Sequence, residues 1–377
     1  MTVTPGDEET AINSMPANPS IAANVVGVDT HKDLHVAVLL SPLGARLDEI
    51  TVPASAAGYL QLSSWALKSG PVQAFGVEGT GCYGAGLSRL LRSQGHKVLE
   101  VNRPDRATRR RRGKSDPIDA EAAARAVLAG TARAEPKTTD GAVEMIRMLK
   151  MTKNSAVKAQ TQARNQLKAL LVTAPEELRQ ALSGLPARAL IDRCAAFRGL
   201  GDLKTIEPTT ITVAKQALKV LARRVLHLRA EIKEAEQQLR HLTTAACPAL
   251  ADTFGVGPDC AAALLVTAGD NPQRLHSEAA FAALCGANPI PASSGKTNRH
   301  RLNRSGDRQG NAALHRIVVV RLRYHQPTQA YLARRLAQGK TKAEIIRCLK
   351  RYVAREIFSA LQPQPVNETV QDRAEAA

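Results

Sequence analysis

Four carboxylates in a strongly basic chain are the residues whose types and spacing could do chemistry. Asp29 ends an apolar run, Val25-Val26-Gly27-Val28, and Glu78 ends a second, Ala74-Phe75-Gly76-Val77. Asp116 and Asp119 stand three residues apart in Lys114-Ser115-Asp116-Pro117-Ile118-Asp119-Ala120. An acid at the end of a buried strand is costly unless it is paired or binds a cation. Residues i and i+3 share one helix face, so Asp116 and Asp119 can act together. Ser115 reads as an N-cap, and Pro117 suits a first helical turn. Carboxylate oxygens are the ligands magnesium prefers, and four that converge repel strongly unless cations offset them. Two Mg²⁺ ions about 3.5–4 Å apart would do so, clamping the attacking and leaving oxygens of a phosphodiester. Helix-start acids favoured by the macrodipole are the plainer reading of Asp116 and Asp119. The matching strand ends of Asp29 and Glu78 weigh against it.

The elements that must position these acids alternate between strand and helix signals over residues 24–135. Strands are predicted at Asn24–Asp29, Leu34–Leu40 and Leu47–Val52, joined by short turns as in a meander. A helix follows at Ala56–Lys68, a strand at Val72–Val77, a helix at Tyr83–Gln94, a strand at Lys97–Val101 and a helix at Ile118–Leu128. Three strands, helix, strand, helix, strand, helix is the order of the ribonuclease-H fold, an α/β layer architecture.

The chain has 377 residues, enough for two or three domains, and an apolar fraction of 44% that can fill real cores. Lys plus Arg number 52 against 34 Asp plus Glu, a net charge of +18 that points to nucleic acid or an acidic surface. Aromatic residues are only 3%, so phosphate contacts rather than base stacking should supply most of the affinity. Arg103, Arg106, Arg109, Arg110, Arg111, Arg112 and Lys114 precede the acidic helix, against only Asp105. Such a run would hold a phosphate backbone beside the metals. The six cysteines form no C-x-x-C pair, which argues against zinc and for a reduced cytosolic protein. No basic n-region, transmembrane-length apolar run or P-loop is visible. Residues 1–23 and 362–377 read as mobile tails.

Residues 140–245 read as wholly helical. Ile211, Ala214, Leu218, Leu221, Val225, Leu228, Ile232, Ala235, Leu239 and Leu242 repeat at spacings of 3 and 4, the seam of a coiled coil. That seam suits a hairpin within one subunit or a dimer interface equally well. Residues 250–360 form a third unit. Phe254-Gly255-Val256-Gly257-Pro258 before an Ala-rich helix resembles the turn of a helix-hairpin-helix, whose Gly255 and Gly257 would let backbone approach a phosphate. Further on, a Pro-rich turn carries Ser293 and Ser294 and runs into Lys296, Arg299, Arg301, Arg304 and Arg308. A serine hydroxyl becomes a nucleophile only when positioned and activated, and a Ser-Ser-Gly turn is most often only a turn. Helices are expected again at Ala312–Tyr324 and Lys342–Phe358.

Three stretches, Gly27 to Lys32, Gly76 to Gly81 and Lys114 to Ala120, together resemble the DEDD transposases of the insertion-sequence one-hundred-ten family. Phe254 to Gly257, Phe281 to Gly286, Pro289 to Gly295 and Arg301 to Asp307 resemble that family's second domain, so the likeness spans roughly residues 24–360. Gly310 departs from it, since many relatives carry a larger apolar residue there. The resemblance implies a RuvC-like N-terminal domain, a helical coiled-coil linker and a C-terminal transposase domain. It gives Asp29, Glu78, Asp116 and Asp119 the metal-binding roles and makes a serine the nucleophile. Counting back from Gly295 gives Ser294, with Ser293 the runner-up. It implies a transient 5′-phosphoserine link, an active site shared between subunits of a dimer or tetramer, and, as in some members, an RNA that bridges donor and target DNA. Such a protein would act at the bacterial nucleoid, excising and inserting its own element with Mg²⁺. A Holliday-junction nuclease that uses water shares the four acids and is the rival. A basic architectural DNA-binding protein is the non-enzymatic alternative.

Overall fold

Seven consecutive buried residues make the central strand of the N-terminal sheet, β1 (Asn24–Thr30). The computed structural model describes residues 23–102, 115–199, 209–296 and 300–362. Apart from Ala23 and Gln362, the two terminal tails lie outside the described residues, as do the basic run 103–114 and Arg299. Strand β1 pairs antiparallel with β2 (Leu34–Leu40), which pairs antiparallel with β3 (Arg46–Pro53). On its other edge β1 pairs parallel with β4 (Val72–Glu78), which pairs parallel with β5 (Val98–Val101). The order β3-β2-β1-β4-β5 is compatible with a ribonuclease-H-like layer. Helices α1 (Ala56–Lys68) and α2 (Ala85–Ser93) separate the later strands, and α3 (Asp116–Leu128) follows them.

Strand alternation sorts the side chains. Val26, Val28, Phe75 and Val77 pack with Leu62 and Ala66 of α1 and Leu87 and Leu91 of α2. Val25 and Ala74 pack on the other face with Ala120, Ala123, Ala124 and Val127 of α3. By the same parity Gly27, Asp29, Gly76 and Glu78 belong to the α3 face. The glycines let the helix settle there. A Cβ on Gly27 would lie 2.0 Å from the Ala120 carbonyl oxygen and 2.2 Å from the Ala124 nitrogen. A Cβ on Gly76 would lie 2.5 Å from Val127 Cγ2. Helix backbone therefore rests almost directly on strand backbone, and the first turn of α3 comes down at the strand ends. Ser115 has the extended cap conformation, but its side chain makes no cap hydrogen bond, contrary to the expectation for it.

The chain divides into two compact units, residues 1–136 and 137–377. In the second, α4 (Ala142–Val172) and α7 (Thr210–Ala246) lie antiparallel. Ala163, Leu167 and Leu171 near the end of α4 meet Ala214, Leu218, Ala222 and Val225 near the start of α7. Helices α5 (Glu176–Ser183) and α6 (Ala187–Ala195) close that end through Leu178, Leu182, Leu190 and Ile191. At the other end Ile146 and Leu239 join the core of the C-terminal helices. Seam residues Ala214, Leu218, Val225, Ala235 and Leu239 are thus buried within one chain, as the hairpin reading requires. Each fully buried leucine contributes about 1.5–3 kcal/mol.

The rest of this unit runs α8 (Pro248–Asp252), α9 (Pro258–Ala268), α10 (Glu278–Leu284), a short hairpin of β6 (Ile290–Pro291) and β7 (His300–Arg301), α11 (Arg308–Tyr324), α12 (Gln326–Ala337) and α13 (Lys342–Leu361). Helix α9 is the core helix: Cys260 to Leu265 are all buried, so it is apolar all round. Gly310, in the first turn of α11, is buried, and a Cβ there would lie 2.8 Å from Thr267 Oγ1 of α9. A larger residue at 310 would need that contact to open. No helix among the described residues is long and apolar enough to cross a membrane.

Candidate functional site

Where β1 leaves the sheet, Asp29 meets the first turn of α3. Its carboxylate is buried, with Oδ2 3.1 Å from His31 Nε2, and the same nitrogen lies 3.3 Å from Asp116 Oδ1. One ligand atom from each of Asp29, His31 and Asp116 falls within 4.8 Å of the others. Asp119, one turn further along α3, is also buried. Burial pushes the Asp29 carboxyl above the usual range; His31 opposes the shift, and the charges of Asp119 and Asp116 add to it. Glu78 ends the adjacent parallel strand. Its backbone carbonyl accepts a hydrogen bond from Thr30 Oγ1 at 2.8 Å, which ties the two strand ends together. The next residue, Gly79, takes φ +68°, a left-handed turn that glycine adopts without strain. Asp29 and Asp116 are therefore brought together, Asp119 is near enough to act on Asp29, and Glu78 stands outside the closest group.

His31 is the residue that sequence reasoning missed. It was legible only as part of a turn after β1. The signal was the Asp-x-His spacing, because residues two apart leave a strand on the same side. Two carboxylates and an imidazole within ligand distance suit a divalent cation. The pocket also fits one electrostatically. Desolvation and two like charges disfavour the charged form of Asp29, and a bound cation would offset them.

The second unit carries the other expected residues. Ser293, Ser294 and Lys296 are exposed in the loop between β6 and β7, and Gly295 turns the chain there with φ +53°. Arg301 and Arg304 are exposed after it, and Arg308 opens α11. Buried Asn303 anchors the hairpin base, donating to Asn288 Oδ1 at 2.6 Å and accepting from the Ser305 backbone N–H at 2.8 Å. Gly255 adopts φ +82°, and Arg321 spans the turn by donating to the Phe254 carbonyl at 2.9 Å while pairing with Glu356. Gly257 caps α9 and faces open space.

Asp259, in the first turn of α9, collects an ion-pair network. Lys150 and Lys153 reach its Oδ1 at 2.9 and 3.0 Å, and Arg316 reaches its Oδ2 at 2.6 Å. Burial alone would raise the Asp259 carboxyl; the two lysines outweigh it and hold it well below the usual carboxylate range. Burial likewise depresses Lys153, but Asp259 and Glu236 more than restore it and leave it raised. Sequence reading passed over all three partners, because Lys150 and Lys153 stand more than a hundred residues before Asp259.

A transposase family model, the DEDD transposase of IS110, matches residues 26–174. A second model, transposase of the IS116/IS110/IS902 family, matches residues 247–333. The first covers the carboxylate cluster and α4; the second runs from the start of α8 through the serine loop and α11. The chain matches no curated relative.

Proposed function

The chain belongs to the IS110 family of transposases, enzymes that act on DNA in transposition, and from that premise we propose how its own residues do so. The N-terminal unit is read as a RuvC-like domain whose Asp29, Glu78, Asp116 and Asp119 hold divalent cations, with His31 as a neighbour that orients Asp29 and Asp116. Bound magnesium would neutralise charge on a phosphodiester and sharpen its electrophilicity. The observation that carries the reading is the meeting of Asp29 and Asp116 across β1 and α3.

Ser294 is the nucleophile in this reading. Its Oγ attacks a DNA phosphorus and the P–O3′ bond breaks. The serine proton passes to the departing 3′ oxygen, leaving a 5′-phosphoserine and a free 3′-hydroxyl. A 3′-hydroxyl of the partner strand then attacks that phosphorus, and Oγ leaves with a proton. The ester keeps the bond energy, so strand exchange needs no ATP. Exposure of Ser294 beside the left-handed Gly295 supports its access to a strand. Gly255 and Gly257 are read as a helix-hairpin-helix-like contact to backbone phosphates. Lys296, Arg301, Arg304 and Arg308, with the basic run before α3, are read as the remaining DNA contacts. The composite site would need at least two chains, and a bridging RNA would choose the sites by base pairing.

Trapping on end-labelled element DNA tests this. Wild-type protein with Mg²⁺ should give a covalent adduct resistant to denaturant; Ser294→Ala should give none, and Asp119→Ala should give neither adduct nor cleavage. Cleavage that persists in Ser294→Ala without an adduct would instead identify a water-using nuclease.

A further inference from the structure

The second unit holds a cavity of about 810 Å³ that enters the reading above only through Arg301 at its edge. Its wall on one side is the base of the β6–β7 hairpin, including Arg301; on the other it is helix α13. Along α13 the residues Glu344, Arg347, Cys348, Arg351 and Tyr352 all line it. That is the i, i+3, i+4, i+7, i+8 stripe of one helix face. The opposite stripe, Ile345, Leu349, Val353 and Ile357, is buried in the core. So α13 has two working faces, one apolar and buried, the other cationic and aromatic and turned into a concavity.

The charges in this cavity are not balanced from within. Arg335, Lys340 and Lys350 join Arg301, Arg347 and Arg351, and Glu344 is the acid among the lining residues. Glu344 is already engaged, accepting from the Thr341 backbone N–H and hydroxyl, both at 2.8 Å, and only secondarily feels the charges of Lys340 and Arg347. Arg351 pairs with Glu278 at 2.8 Å, but among the described residues no carboxylate forms an ion pair with Arg301, Lys340 or Arg347. Two guanidinium nitrogens, Arg335 Nε and Arg351 Nη1, are buried with no acceptor, although buried donors nearly always find one. Burial depresses the Lys350 ammonium, whose hydrogen bond at 2.6 Å goes to the neutral Asn311 side chain. A doubly or singly charged oxyanion would match the exposed cations Arg301, Lys340 and Arg347. Tyr352 adds a half-exposed ring, held edge-on against Tyr331 at 5.7 Å. Cations alone would suit any phosphate; cations with an open aromatic face in a concavity suit a base together with its phosphates.

We propose that this cavity binds an unpaired nucleotide of a nucleic-acid strand, with phosphates on Arg347 and Lys340 and the base on Tyr352. A duplex would present only its backbone and would leave the ring unused. The inference rests on reading the chain as a nucleic-acid enzyme, but the binding needs neither Ser294 nor the carboxylates. The test is fluorescence anisotropy of the full-length protein with a short fluorescein-labelled single strand, in chelator, with a DNA arm and an RNA arm of one sequence. Tyr352→Ala should weaken binding on at least one arm about 5- to 150-fold, the loss of one stacked base, and Tyr352→Phe should restore it. An abasic strand should show no such difference. The pair Lys340→Ala with Arg347→Ala should lower the slope of log affinity against log salt by about 1.4. A photoreactive halogenated uracil in the strand should cross-link wild-type protein within residues 335–352. Wild-type affinity of Tyr352→Ala on both arms, or cross-links only elsewhere, would overturn the proposal. Loss of covalent trapping in Ser294→Ala bears on the reaction alone, since that experiment requires metal and this one excludes it.

Discussion

Two aspartates, one buried and one partly buried, show what separates an acid with a built-in counter-charge from one without. Asp259, in the second unit, is ringed by Lys150, Lys153 and Arg316 and is held well below the usual carboxylate range. Asp29, in the first, has one half-exposed histidine and two further acids around it, and burial pushes it above that range. Both sit where a helix start packs on another element. The first has its counter-charge built in; the second is surrounded by like charge. A fold tolerates such an uncompensated group when function needs it, at some expense in stability. On the proposed reading, α9 is a joint of the scaffold and the end of β1 is the place for chemistry.

The largest expected contrast comes from neutralising each acid in turn. Asp29→Asn should lower metal-dependent DNA cleavage by at least about 100-fold, the scale of losing one preorganised electrostatic group. It should also abolish any rise in melting temperature on adding Mg²⁺ or Mn²⁺, a rise that ligand linkage otherwise demands. It should leave the metal-free protein no less stable. If cation addition stabilised Asp29→Asn as much as wild type, the cluster would not be the cation site.

Asp259→Asn should do the reverse. It leaves buried Lys150 without its anion and Lys153 with Glu236 alone, which costs about 3–5 kcal/mol in chemical denaturation. Cation-induced stabilisation should survive in the fraction that folds. A loss below about 1 kcal/mol would mean the network is no more than a surface pair.

Acid should reach the same joint more gently. Because the folded Asp259 pKa is depressed, its contribution is fully present above the ordinary aspartate value, about 3.9. It is lost as pH falls from there through the folded value. The wild-type acid transition should therefore be steeper than that of Asp259→Asn, which has no proton to take up there. Equal slopes would remove Asp259 from the account.

The smallest effect is a difference in thiol reactivity between the two regions. Cys82 is exposed, just beyond Glu78, whereas burial pushes Cys285 up to about 12 and Cys194 up to about 11. Thiolate is the reactive form, so an aromatic disulfide reagent near neutral pH should label Cys82 well before either core thiol. Comparable rates would mean that the second unit opens readily.

Much of the N-terminal layer was legible because its elements are short and locally coded. Leu34–Leu40 and Ala56–Lys68 begin and end where their patterns do. The convergence of Asp29 with Asp116 was legible too, since strand ends and helix starts are marked by local residues. His31 was not, because an imidazole in a turn has no distinguishing pattern until the helix arrives beside it. The α4–α7 hairpin was half legible. Spacings of 3 and 4 specify an apolar seam but not whose helix fills it, and Ala163, Leu167 and Leu171 supply the answer from a segment with a weaker stripe. Helix α12 was missed because its buried residues are few: Thr328 alone is fully inside. Lys150 and Lys153 drew no reading at all, because nothing local announces a partner that tertiary packing brings from α9.

The absence of a side chain at position 27 has its own reach. With α3 seated on bare Cα, one added methyl would act as a wedge between strand and helix and tilt the reactive edge open. A screen for transposition-defective variants should therefore return Gly27 alongside the carboxylates, although it contributes no atom to the reaction.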